Sequence, residues 1–201
     1  MKANKIREYI LVKDKNNHPK LEEVGCYEWN GDLKYTDEVF EMLDNVFKMD
    51  KLITEVSYVI AFDHAKKVKG VCRVGQGNAN ESPMPLQSIY TFLLLTGANA
   101  FIVAHNHISE MPEVSAGDKI ITTKVNSFAL MFEMEFIGHM ILNPCGYVID
   151  GGTMNGTARE YDEYGELYDC GTDGCEPFSN NSKDMEEFKV IMEEMMKRKR
   201  G

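Results

Sequence analysis

Five apolar residues, Ala100-Phe101-Ile102-Val103-Ala104, run straight into His105-Asn106-His107, and Ser115 and Asp118 follow. A short run that is apolar at every position reads as a strand buried on both faces, so the chain must cover a sheet from two sides. In extended chain, residues i and i+2 point the same way. His105 and His107 therefore leave the strand with both imidazoles aimed at one point. Asp118 falls in the first turn of a helix read from about Ala116 to Glu133, and a loop of this length returns its carboxylate to that point.

Two imidazoles and a carboxylate suit a divalent zinc ion, with the fourth position left to water. Such an ion lowers the pKa of its water to about 7, and the chemistry then needs a proton-handling base and a donor for a developing oxyanion. Ser115, just ahead of the helix that carries Asp118, is the candidate donor. Glu55, opening the apolar run Val56–Phe62, is the candidate base. Each also has a plainer reading. Ser115 is a good N-cap and Asp118 a good first-turn acid without any metal, Glu55 suits a solvated strand end, and two histidines two apart occur by chance. The full pattern H-x-H-x7-S-x2-D, placed between a buried strand and a helix start, favours the metal.

Around this segment the periodicities predict a helix over 37–49 with Thr36 as its N-cap, strands at Val56–Phe62 and Gly70–Val74, and a hairpin connection at Asp63–Lys67. They also predict a helix over Leu86–Thr96 closed by Gly97, and two strands near Glu135–Ile137 and Met140–Leu142. Residues 1–35 read as a strand-and-loop extension, 150–183 as an acidic linker and 184–200 as an amphipathic helix with a Met-rich stripe. That stripe suits docking onto the domain or a second copy, which is compatible with a homodimer.

The 22 basic and 32 acidic side chains leave a net charge of −10, which argues against direct DNA binding. No stretch approaches a membrane span, and the charged N-terminus lacks the apolar core of a signal peptide, so a cytoplasmic protein is expected. The five cysteines are odd in number and mostly far apart, a poor disulfide framework. Cys170 and Cys175, the close pair, lack the further ligands that a zinc knuckle needs.

From Thr36 to Tyr147 the chain resembles the RadC branch of the JAB/MPN metalloprotease-like domains, whose signature is the JAMM motif. Ala104-His105-Asn106-His107 reproduces the RadC string, Glu55–Asp63 looks like the family's Glu-led first strand, Gly77, Asn80 and Ser82 fit its loop, and His139 fits a histidine after the long helix. The resemblance implies an α/β fold of the JAB/MPN, cytidine-deaminase-like layered type over 36–149, a mixed sheet flanked by helices, with a C-terminal helical tail. It implies His105, His107 and Asp118 as ligands of one Zn2+ per chain, Glu55 as general acid/base and Ser115 as oxyanion partner. His139 is expected to be structural or to orient a ligand. Ile108, Leu86-Gln87-Ser88 and Gly138 depart from the family's Pro, Pro-Arg-Glu and Asp, which points to a divergent substrate surface.

The expected function is zinc-dependent hydrolysis of an amide bond in a peptide or protein. The other reading is a DNA-repair or mobile-element accessory protein acting by binding. A zinc deaminase would need His-x-Glu and Pro-Cys-x-x-Cys, and neither is present.

Overall fold

A run of period-two and all-apolar segments separated by three amphipathic stretches produces alternating strands and helices. The computed structural model describes residues 4–31, 33–78, 83–108, 114–162, 164 and 166–169. Asn80 and Ser82, Cys170 and Cys175, and the expected helix over 184–200 lie outside the described residues. The elements in chain order are β1 (Asn4–Lys13), β2 (Pro19–Trp29), α1 (Thr36–Phe47), β3 (Val56–Phe62), β4 (Val68–Gln76), α2 (Leu86–Thr96) and β5 (Ala100–Asn106). They continue with α3 (Ala116–Met131), β6 (Glu135–Asn143), β7 (Gly146–Asp150), β8 (Ala158–Tyr161) and β9 (Leu167–Asp169).

Among the described residues the strands form one mixed sheet in the order β2-β1-β4-β3-β5-β6-β7-β8-β9. The β1/β4 and β5/β6 pairs are parallel and the rest antiparallel. Alternation along each strand sorts the core into two layers. Ile60, Phe62, Ile102 and Tyr147 pack with Phe40 and Leu43 of α1 on one face. Val59, Ala61, Phe101 and Val103 pack with Ile89, Phe92, Val125 and Ala129 of α2 and α3 on the other. Every residue of β3 and β5 is buried, as strands covered on both faces must be. No described helix is long and apolar enough to cross a membrane.

Local details explain where the structure departs from the periodicity. Helix α1 starts at Thr36 with Tyr35 at the cap position. The Thr36 hydroxyl is not a cap: it is buried against the Tyr147 hydroxyl at 2.7 Å, and the Glu38 carboxylate accepts the Tyr35 N–H at 3.1 Å instead. Helix α2 does end at Gly97, whose φ of +59° is the left-handed conformation that closes a helix cheaply only without a Cβ. The two strands expected between Glu135 and Leu142 are one, β6. Phe101 faces Phe136 while Ile102 faces Gly138, so Ile137 bulges from the ladder and breaks the alternation. Gly138 has no room for a side chain there, since a Cβ would run into the Ile149 side chain. In the stretch read as a linker, β8 and β9 extend the sheet. At the other edge the extension 1–35 supplies the long β1/β2 hairpin.

One carboxylate of this scaffold sets a pH dependence. Burial, with Asp50 beside it, pushes the Asp44 carboxyl up to about 6. The folded state therefore favours the protonated acid, and stability is lost as pH rises from the unfolded value through about 6. Asp44→Asn, which mimics the protonated form, is expected to raise the Tm at pH 8 by about 2–4 °C and to leave it unchanged at pH 4. This corresponds to about 1 kcal/mol after solvent screening of a half-exposed group. Equal shifts at both pH values would contradict it.

Candidate metal centre

The parallel β5-α3-β6 unit builds the centre at the carboxyl end of β5, where α/β sheets characteristically open a crevice. His105 is the penultimate residue of β5, shares its face with Val103, and is 2% exposed. The His107 backbone N–H donates to the Leu142 carbonyl at 2.7 Å, which keeps the chain extended beyond β5 and returns the His107 ring to the same side. Opposite them α3 begins with a reciprocal cap. The Asp118 N–H donates to Ser115 Oγ at 3.1 Å, and the Ser115 N–H donates to Asp118 Oδ2 at 2.8 Å.

The result is convergence. His105 Nε2 stands 3.2 Å from Asp118 Oδ1, and His107 Nε2 stands 3.4 Å from Asp118 Oδ2. Charge-assisted hydrogen bonds close to about 2.7–2.9 Å. Two ligand atoms about 2.0 Å from a zinc ion at the tetrahedral angle stand about 3.3 Å apart. Each separation is as long as one edge of such a coordination tetrahedron, although the two end on different Asp118 oxygens, and the donor set of two imidazoles and a carboxylate suits zinc.

His105, Asp118 and His139 also offer ligand atoms within 4.8 Å of one another, all buried, a group able to hold a metal ion. Both nitrogens of His139 are engaged, however. Nε2 lies 2.7 Å from His105 Nδ1, and Nδ1 lies 2.8 Å from Thr122 Oγ1. His139 therefore sits between His105 and Thr122, in contact with both.

The electrostatics of the cluster follows from these same contacts. Burial works against a charged Asp118, yet His105, His107 and Ser115 hold its carboxyl far below the usual carboxylate range. His107 is raised, first by its interaction with Asp118, against burial, and further by the Glu55 charge. Burial, with His105 adding to it, pushes His139 well down.

Glu55 precedes β3 and is 7% exposed. Its N–H donates to the Asn78 carbonyl at 2.9 Å, and its carbonyl accepts the Gly77 N–H at 2.8 Å. Asn106, to which the sequence reading gave no role, clamps both flanks of Glu55. Its Oδ1 accepts the Val56 N–H at 2.8 Å and its Nδ2 donates to the Thr54 carbonyl at 3.2 Å. Period-two alternation already places Asn106 opposite the two histidines, but its partner some fifty residues upstream carries no local signal. Asn106→Ala is expected to destabilise by about 1–3 kcal/mol, because it strips hydrogen bonds from two largely buried backbone groups. Urea unfolding checks this, and an unchanged midpoint would contradict it. Ser115 is exposed, and since its oxygen already accepts the Asp118 N–H, its own proton can be donated outward.

Fold and centre together define an α/β domain with a metal-type His/Asp cluster at the mouth of its central strands. Residues 33–149 match the family described as RadC-like JAB domain, more than half of the chain, and the chain belongs to that family. Relatives include UPF0758 protein PM1152 of Pasteurella multocida, 31% identical over 88 residues, 44% of this chain and 39% of that protein. UPF0758 protein NTHI1125 of Haemophilus influenzae is 32% identical over 88 residues, 44% of this chain and 40% of its own length. A UPF0758 protein of Thermotoga maritima is 25% identical over 118 residues, 55% of this chain and 53% of that protein. The matches thus span about two-fifths to one-half of these relatives.

Proposed function

We propose that this protein is a zinc-dependent hydrolase that cleaves an amide bond in a peptide, or an isopeptide bond in a protein, with His105, His107 and Asp118 as ligands of one Zn2+. The observation that carries the reading is the convergence of the two Nε2 atoms on the Asp118 carboxylate, at 3.2 and 3.4 Å. A zinc ion held there supplies Lewis acidity and brings the pKa of its water to about 7. The remaining work belongs to the chain. Glu55, buried next to the centre and close enough to raise His107, takes the proton from the attacking water and delivers it to the leaving amine. Ser115 donates its hydroxyl proton to the oxyanion that develops on the attacked carbonyl. Its backbone is pinned by Asp118, so it acts without reorganising. The net charge of −10 favours a peptide or protein substrate over DNA.

Zinc-loaded protein incubated with a peptide library and with isopeptide-linked protein dimers tests the reading by mass spectrometry. New amine termini or released monomers that vanish with a chelator support hydrolysis. Intact substrates in both sets, with zinc bound, would contradict it in favour of a scaffold that acts by binding.

A further inference from the structure

Soluble surfaces carry exposed apolar side chains mostly one at a time, so several side by side mark a contact face. Such a group lies where α2 and α3 meet, on the sheet face that these helices cover. The Tyr90 hydroxyl donates to the Val125 carbonyl at 2.6 Å and ties the two helices together. The Tyr90 ring stands 5.6 Å from Phe128 and 5.5 Å from Phe132, centroid to centroid. Leu94 follows Tyr90 by one turn on the same side of α2. Around this buried ring the surface stays open. Met131 is 61% exposed and Leu94 53%, and Leu95, Phe128 and Phe132 are exposed too. Leu94 and Phe132 lie just before β5 and β6 begin, at the opposite end of the sheet from the metal centre.

The same chain carries a stripe that fits this face. Outside the described residues, Met185, Phe188, Met192 and Met195 recur at helical spacing. Thioethers adapt to irregular surfaces and make favourable contacts with aromatic ring edges, which Phe128 and Phe132 supply. A single short helix is marginal in water and gains most of its stability by packing an apolar side. Reach allows the contact. The described chain leaves the sheet at Asp169, whose register runs through Arg159, Tyr147 and Leu142 to Asn106. From there β5 is four strand spacings across, about 19 Å, and the patch lies six residues back along it, about 20 Å. Residues 170–183 span up to about 46 Å. A tether of that length presents the stripe to its own domain at an effective concentration in the millimolar range, far above that of a second copy at micromolar protein.

We propose that residues 184–200 dock on the α2/α3 face of their own chain, with the Met185, Phe188, Met192 and Met195 stripe packed against Leu94, Phe128, Met131 and Phe132. The proposal stands apart from the zinc reading. Hydrogen exchange of the full chain, followed by mass spectrometry, tests it. In the parent, amides of 184–200 are expected to exchange at least about tenfold more slowly than in an unstructured peptide, and equally so at about 1 μM and about 50 μM protein. Leu94→Asp combined with Met131→Asp puts charge on the face at two exposed positions, and Met192→Asp puts charge on the stripe. Each change is expected to abolish the protection. Protection that survives either change would overturn the proposal, as would exchange in the parent at the unstructured rate. Protection lost on dilution, with a dimer in sedimentation, would overturn it in favour of a second copy. If the double variant does not fold, the carbon-13 methyl signal of Met131 decides. It is expected to shift between the parent and Met192→Asp, and an unmoved signal would overturn the proposal.

Discussion

Replacing Glu55 by glutamine is expected to leave the zinc content at one per chain and to slow amide hydrolysis by about 100- to 10,000-fold. Glu55 lies outside the His105–His107–Asp118 group, so the ligand atoms stay where they are. Its backbone is held by Gly77 and Asn78 on one side and its flanks by Asn106 on the other, so glutamine inherits the same placement. What it loses is a carboxylate that can take up a proton and give it back. Zinc content and turnover measured on the same preparation separate the two effects. Retained turnover removes Glu55 from the base role, and loss of zinc would make it part of the ion's support.

His107→Ala is the second large effect, a loss of zinc affinity of more than about 100-fold, since even partners that only orient a ligand are worth about 10–100-fold. His107 is the most exposed of the three converging groups, its side chain 15% accessible, so its removal leaves only a shallow gap and a folded protein. The same residue gives the affinity a pH slope. Asp118 raises its pKa, so a proton must leave before the ion can bind, and binding is expected to weaken as pH falls through that raised value. Isothermal titration with zinc across acid and neutral pH checks both statements. An alanine variant with parental affinity would point to His139 as the true third ligand.

Much of the scaffold was legible because it follows from local rules. The apolar period gave β3 at Val56–Phe62 and α2 at Leu86–Thr96 as they are found, and Gly97 closes α2 for the conformational reason expected. Where a residue answers to a distant partner, the sequence misled. Thr36 looks like a cap but bonds Tyr147, and the bulge at Ile137 disguises one strand as two. The centre divides the same way. His105 and His107 share a face by the i, i+2 rule, and Ser115 and Asp118 meet through a cap written three residues apart, so their proximity could be read directly. Asn106 and Thr122 could not be placed so. Asn106 works through β3 and Thr122 through β6, and only the sheet order brings those strands together.

Diffraction from zinc-loaded crystals at the zinc edge tests the central claim most directly. One anomalous peak per chain is expected, about 2.0–2.1 Å from His105 Nε2, from His107 Nε2 and from one Asp118 oxygen, with His139 still bonded to His105 and Thr122. A peak ligated by His139, or none at all after soaking at saturating zinc, would contradict it.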